Sequence, residues 1–387
     1  MKKFFIALLA LALVAGNLFA EIKVGGWGRA DFIPLELFTP ADGDSKATAS
    51  TGVNWGANPR FGLSFEGSGD TAGVVITLHT EDGGISGDNT YVWIAPLSFL
   101  KFDVGYRYWD VLRGGFGLEG FNGYAGAAAT GEDQIFPRFN TADTNSVWNS
   151  GKGENDISYH PGAVVEFTPV SGLSIGLALR TQLFNTRYNR PGNPDDLADL
   201  YKGVQFGVGY DIENIGLIRV GYFGSKAGVW DRSVALAFKL TAVDILGLDV
   251  GFAYRLDGIV DDVDLEGKNS ISIGLGADIK PVSLFHIQLN ALLKLGGDGD
   301  KAKGNEGFVV ETYLNPEVSL DFATIGLGFA WGANFAQDDN NHLGFSLYLK
   351  KGFGGVTFQG GVGLNMQPSG SKKDSVFYIP LQLTYSF

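Results

Sequence analysis

Charged side chains recur at alternate positions between apolar residues, and this spacing determines what they could do. Arg29, Arg107 and Arg180 each stand in a run of alternating apolar and polar residues, and Arg60 opens another such run. If these runs are strands around one cavity, arginines facing carboxylates across it would create a transverse field that sorts polar solutes. The alternative is a solvated wall of paired charges without selectivity.

Residues suited to catalysis are sparse. The four histidines, His79, His160, His286 and His342, are far apart in sequence and lack metal-ligand spacing. No G-x-S-x-G nucleophile elbow occurs, and the glycine pairs of GLGADI, GLGFAW and GGVGLN lie in strand-like runs without a following helix. His286 near Ser283 is the remaining pair that could serve a hydrolase. We predict no catalytic residue, no metal and no cofactor, and hence no enzyme.

The segments that carry the charges have a period of two residues. In LKFDVGYRYW, Leu100, Phe102 and Val104 alternate with Lys101 and Asp103. The same alternation occurs in EIKVGGWGRADF, LSIGLALRTQ, GLDVGFAYR and LGFSLYLKK. Such alternation predicts β-strands with one apolar and one polar face.

Short and long connections between the predicted strands take turns along the chain. Tight connections near 95–98 and 351–355 contrast with long polar ones over 34–57, 110–156 and 185–202. This order predicts an all-β, up-and-down antiparallel meander of about 18 strands, with about 16 as the second choice.

Composition indicates the surroundings of this sheet. Apolar residues make up 45% of the chain and charged residues 18%, yet after Ala20 no apolar stretch reaches helix-spanning length. Residues 1–20 have a basic start, an apolar run and a small last residue, which predicts a secretory signal peptide. Residues 21–387 are then one domain. The net charge of −13 argues against a nucleic-acid partner.

An amphipathic sheet of this size has its unpaired edges removed by closure, which is obligatory in lipid. We therefore predict a closed transmembrane β-barrel in a bacterial outer membrane, with lipid around it. Its short turns would be periplasmic and its long loops extracellular.

The last ten residues, YIPLQLTYSF, carry large apolar side chains at alternate positions: Leu381, Leu383, Tyr385 and Phe387. Together with the pattern of the whole mature chain, this ending resembles bacterial outer-membrane β-barrel porins and their C-terminal assembly signal. The resemblance implies recognition by the barrel-assembly machinery. The Lys-Lys start and the WGR stretch at 27–29 add a faint resemblance to spirochaete porin-like proteins.

Barrels of 16–18 strands leave an aqueous channel, so we expect a porin for passive diffusion of small hydrophilic solutes. The alternative is a surface-exposed adhesin or structural barrel with a loop-plugged lumen. Pore-lining candidates are Arg29, Arg60, Lys101, Asp103, Arg107 and Arg180, with Trp27 and Trp109 as inward aromatics. By resemblance, the loop 110–156 would narrow the lumen and add Glu132, Asp133 and Arg138 as constriction candidates. The sequence does not specify the solute, the ion selectivity or the oligomeric state, and a homo-oligomer is one of the possible states.

Overall fold

The computed structural model of the protein describes residues 21–41, 46–52, 60–81, 84–106, 161–180, 184–185, 190–191, 204–223, 229–260, 263–264, 270–296, 308–334, 341–369 and 372–387. All regular structure in these residues is β-strand. No helix in the described part of the chain is long and apolar enough to cross a membrane. The predicted signal peptide and the loop 110–156 lie outside the described residues.

Twenty-two strands are assigned within these ranges: β1 Glu21–Thr39, β2 Thr48–Gly52, β3 Arg60–Ser68, β4 Ala72–Glu81, β5 Gly84–Leu97, β6 Leu100–Tyr106, β7 Pro161–Phe167, β8 Leu173–Arg180, β9 Phe184–Asn185, β10 Arg190–Pro191, β11 Val204–Ile212, β12 Gly216–Phe223, β13 Val229–Val243, β14 Leu246–Val260, β15 Val263–Asp264, β16 Ser270–Val282, β17 Phe285–Gly296, β18 Phe308–Ser319, β19 Thr324–Asn334, β20 Asn341–Phe353, β21 Val356–Ser369 and β22 Lys372–Ser386.

Eighteen of the strands in the described ranges form one closed antiparallel ring. Each barrel strand pairs with the next along the chain. Strand β8 continues the ring to β11, and β14 continues it to β16. The ring closes where β22 pairs with β1, from Trp27 opposite Ser386 to Thr39 opposite Ser375. Strands β2 and β15 extend hairpins on β1 and β14, and β9 pairs with β10. The predicted up-and-down barrel of about 18 strands is confirmed.

Tight turns join the strands at one end of the barrel, as predicted. The turn between β20 and β21 contains Gly354 and Gly355 with φ of 58° and 80°, values that favour glycine because a Cβ would be strained there. Asn214, with φ of 60°, lies in the turn between β11 and β12 and is the one non-glycine residue with positive φ in the described part of the chain. Asparagine tolerates this left-handed conformation better than most residues.

The two faces of the sheet differ sharply in chemistry. The outer face carries large apolar side chains that are exposed, among them Val24, Phe32, Leu63, Ile94, Leu236, Phe252, Leu275, Leu327, Phe329, Leu347 and Leu383. The inner face carries buried polar ones: Arg29, His79, Asp103, Arg219, Asn290, Asn315, Gln359, Asn365 and Gln382. An arginine or lysine on the lipid face would cost about 2–4 kcal/mol at mid-membrane depth, which explains the segregation.

Two prolines coincide with irregular pairing. The ladder between β1 and β22 shifts register between Phe32 and Leu35, where Pro34 has no N–H to donate. The extra residue of this bulge turns Ile33 inward, where it is 4% exposed and packs against Tyr348 and Tyr378.

In β18 the ladder to β19 skips Asn315 and Pro316 and resumes at Glu317 without a change of register. Pro316 lies opposite Ile287 of β17 and can still accept a hydrogen bond through its carbonyl group. A proline is thus accommodated inside this closed sheet.

Aromatic rings lie flat over glycines of neighbouring strands on the inner wall. The register places each ring directly opposite its glycine: Trp27 and Gly62, Trp93 and Gly73, Tyr348 and Gly326, Tyr378 and Gly363. A Cβ on Gly73 would lie 2.5 Å from Nε1 of Trp93, so no larger residue fits beneath the ring. Glycine is required at these positions by close approach.

Candidate functional site: the inner wall of the barrel

The inner wall near β6 holds the predicted pair of Lys101 and Asp103. The Lys101 ammonium lies 3.5 Å from a carboxylate oxygen of Asp103, whose side chain is 1% exposed. The same ammonium lies 5.1 Å from the centre of the Trp93 ring, which stands opposite Asp103 on β5. A cation above an indole face gains an electrostatic attraction. Alternation places all three side chains on the same face of the sheet, the lumen face.

Arg29 and Trp27 also lie on the inner face. Arg29 is buried, whereas Trp27 is partly exposed above Gly62. The backbone of Arg60 is directly opposite that of Arg29, so the two predicted arginines share one position across β1 and β3. The structure brings this pair of residues together.

Other predicted site residues fall outside what the structure describes. Arg180 lies in β8 with its backbone opposite Gly162, and its side chain, like that of Arg60, lies outside the described atoms. The remaining candidates are outside the described residues: Arg107, Trp109, Glu132, Asp133 and Arg138. A constriction formed by these residues stays a prediction.

A second set of ion pairs lies farther along the ring, on β11 to β14. On β11 and β12, Arg219 Nη2 contacts Asp211 Oδ1 at 2.5 Å, and Arg219 Nη1 donates to the Ile218 carbonyl oxygen at 3.0 Å. On β13 and β14, Lys239 Nζ lies 3.9 Å from Asp249 Oδ1. Acidic and basic side chains of neighbouring strands are therefore paired along this wall.

This wall continues into a polar network centred on His286 of β17. Its Nε2 contacts Asp278 Oδ1 of β16, and its Nδ1 lies 3.0 Å from Glu317 Oε2 of β18. Asp278 also accepts a hydrogen bond from Lys280 Nζ at 2.8 Å. We call Asp278, Lys280, His286 and Glu317 the His286 cluster.

Both ring nitrogens of His286 face carboxylate oxygens, one from each neighbouring strand. The ring therefore bridges Asp278 of β16 and Glu317 of β18, and the three side chains form one chain of contacts across three strands.

The same contacts bear on the hydrolase alternative. Both nitrogens of His286 are engaged by Asp278 and Glu317, so neither remains to take a proton from Ser283, which lies in the adjoining turn. A nucleophile needs a base within hydrogen-bond reach. The His286–Ser283 pair therefore lacks the arrangement of a catalytic site.

Tyrosines extend the network across β20 and β22. The Tyr348 hydroxyl lies 2.6 Å from Glu317 Oε1 and 2.9 Å from Asn315 Oδ1, and Asn315 Nδ2 donates to Gln288 Oε1 at 3.4 Å. Tyr378 is 1% exposed and stands over Gly363. Tyrosine rings and hydrogen-bonded amides thus continue the polar network beyond Glu317.

The described lumen face offers no obvious place for a resident metal. No group of three or more His, Asp or Glu residues in the described ranges could hold a metal ion. What the arrangement does offer is a polar, charge-paired surface facing a closed interior.

Solved structures with the same fold are outer-membrane proteins. An anion-selective porin from Comamonas acidovorans matches with a TM-score of 0.52 and 12% identity, over 95% of this chain and 100% of that one. A loop L8 deletion mutant of OmpT, an outer membrane protein of Vibrio cholerae, matches with a TM-score of 0.50 and 10% identity, over 95% and 99%. No protein-family model matches the sequence, and no curated protein matches it. At these identities the likeness concerns the fold: the chain is a porin-like β-barrel of the bacterial outer-membrane type.

Proposed function

We propose that the protein is an outer-membrane channel for passive diffusion of small hydrophilic solutes, without enzymatic activity. The observation that carries this proposal is the closed ring of eighteen strands in the described residues, apolar outside and polar inside. Rings of 16–18 strands leave an aqueous passage, whereas rings of about 8 strands are filled by side chains.

The wall chemistry supports the same function. Charges on the inner wall have opposite charges close by in Lys101–Asp103, Arg219–Asp211 and the His286 cluster. Paired charges attract polar solutes without holding one ion tightly, which conduction requires.

The test is conductance of the purified protein in planar lipid bilayers. Stepwise current increases are expected on insertion, and swelling of proteoliposomes in small sugars should follow sugar size. Heat-denatured protein is the matched control. The proposal would be contradicted if the barrel inserts, as shown by its protection from added protease, but passes neither ions nor sugars. That result would favour the alternative of an adhesin or structural barrel with a plugged lumen.

We also propose that the barrel-assembly machinery recognises the alternating apolar residues at the end of the chain. Leu381, Leu383 and Tyr385 lie on the outer face of β22, and Phe387 follows the strand directly, where a membrane-embedded partner could reach them. Assembly in cells depleted of that machinery should fail, whereas refolding of urea-denatured protein into detergent should continue. Equal assembly with and without the machinery would contradict this proposal.

A further inference from the structure

A notch lies on the inner wall next to the His286 cluster. The register places Asp249 of β14 opposite Gly276 of β16, and Gly247 of β14 opposite Asp278 of β16. Each carboxylate therefore faces a glycine across the strand pair. Because neither glycine contributes a side chain, the wall between the two carboxylates is formed by backbone.

Two oxygen atoms from different strands converge over this backbone. Asn290 of β17 stands opposite Gly276 on its other side. Asn290 Oδ1 and Asp249 Oδ2 lie 3.3 Å and 3.8 Å from the point that a Cβ on Gly276 would occupy. The notch over Gly276 is thus flanked by an amide oxygen and a carboxylate oxygen.

The side chains at the notch are left without donors. Asn290 is 7% exposed, and no hydrogen bond of its side chain is found among the described residues. Asp249 Oδ1 is buried and lacks a hydrogen-bond partner, because the nearest ammonium, that of Lys239, is 3.9 Å away. Buried acceptors of this kind are rare unless they bind an ion, a donor or water.

The neighbouring carboxylate differs in its contacts. Both oxygens of Asp278 are engaged, one by His286 and the other by Lys280. Asp278 is therefore already engaged, while Asp249 and Asn290 supply the oxygen atoms that face Gly276. The side-chain atoms that face the notch are both oxygens, which favours a partner that carries positive charge or N–H donors.

We propose that Asp249 and Asn290 form a weak binding site for small cations in the lumen, either inorganic ions or the ammonium group of an organic solute. This inference rests on the proposed channel function and names a solute class that the channel holds in passage. One carboxylate and one amide are too few ligands to retain a metal ion. A site of this strength exchanges its cation quickly, which suits a pore.

The test is single-channel conductance as a function of KCl concentration. A cation site in the lumen makes conductance saturate, and Asp249→Asn should raise the half-saturating concentration about tenfold, the loss expected for one hydrogen bond to a charged group. Asp244→Asn is the matched control, because it also removes one negative charge, but from the turn between β13 and β14.

Two further variants separate the site from net charge. Asn290→Leu and Gly276→Ala leave the charge unchanged, and the new methyl of Gly276→Ala would lie 3.3 Å from Asn290 Oδ1. Both should raise the half-saturating concentration, while circular dichroism and heat-induced gel shifts confirm the folded barrel. Repeating the series with methylammonium chloride identifies the cation: saturation there supports an organic ammonium ligand, and saturation in KCl alone supports an inorganic ion.

The outcomes that overturn the inference are distinct from failure of the channel itself. Conductance that rises in proportion to salt in the parent protein excludes the site and leaves the channel function standing. Equal effects of Asp249→Asn and Asp244→Asn also exclude the site, since the response would then follow overall charge. Absence of any conductance in either salt overturns both proposals together.

Discussion

Replacing His286 with glutamine removes the imidazole ring that bridges Asp278 and Glu317. Hydrogen bonds to charged groups contribute about 1.5–3 kcal/mol each. The side chain of Asp278 is 44% exposed and keeps its contact with Lys280, so little is lost there. Glu317 is 19% exposed and keeps the Tyr348 hydroxyl, and the glutamine amide can donate one neutral bond. We expect His286→Gln to lower the free energy of unfolding by about 1–3 kcal/mol.

The assay is urea unfolding of the barrel in lipid vesicles, followed by tryptophan fluorescence. Gln288→Ala is the matched control, since Gln288 faces the lumen on the same strand and makes one long hydrogen bond of 3.4 Å. A double-mutant cycle with Glu317→Gln isolates the pairwise interaction, for which we expect about 1–2 kcal/mol. A coupling energy near zero, or equal effects of His286→Gln and Gln288→Ala on stability, would refute the interpretation that His286 bridges the two carboxylates.

Three further predictions address packing, turn geometry and closure of the barrel. Gly363→Val should destabilise the barrel by about 1–3 kcal/mol, because the valine side chain would overlap the Tyr378 ring. In urea unfolding, the double variant Gly363→Val with Tyr378→Ala should recover part of this loss. No recovery would count against the packing argument. Because Asn214 has a φ of 60°, Asn214→Ala should lower the free energy of unfolding by about 1 kcal/mol, whereas Asn214→Gly should lower it by about a few tenths at most. Equal unfolding midpoints of the two variants would argue against strain at this turn. Deleting Phe387 should slow barrel formation, as measured by gel-shift kinetics. The Phe387 backbone exchanges hydrogen bonds of 3.0 Å and 3.1 Å with Gly26, and the Phe387 ring covers that glycine. Unchanged rates of barrel formation would contradict a role in closure.

Period-two alternation was sufficient to predict the barrel, because lipid outside and water inside impose opposite requirements on successive residues. It predicts Lys101 and Asp103 on the lumen face and Leu383 and Phe387 on the outer face. In the structure Asp103 is buried, whereas Leu383 and Phe387 are exposed. In the run NTYVWIAP both faces carry large side chains, so alternation alone does not assign Trp93 to the lumen. Its position opposite Gly73 was the signal that could have found it.

The contacts of the His286 cluster could not be predicted from the sequence, for a different reason. Asp278, His286 and Glu317 come from three strands, and their meeting depends on register to the single residue. Strand boundaries read from alternation are uncertain by a few residues, which is enough to separate such groups. The sequence indicated a polar face, whereas the particular ion pairs required the turns that set each register.

The pairing of β1 with β22 has a consequence for the timing of assembly. Trp27 lies opposite Ser386, so this ladder joins segments at almost the full span of the described chain. Every other barrel ladder can form as soon as two successive strands have been delivered to the membrane. Until β22 arrives, the free edge of β1 exposes unpaired N–H and C=O groups that hydrocarbon does not tolerate. The entropy of closing so long a loop grows only slowly with its length. Delivery of the last strand, rather than the search for its partner, would then set the moment at which the barrel becomes sealed.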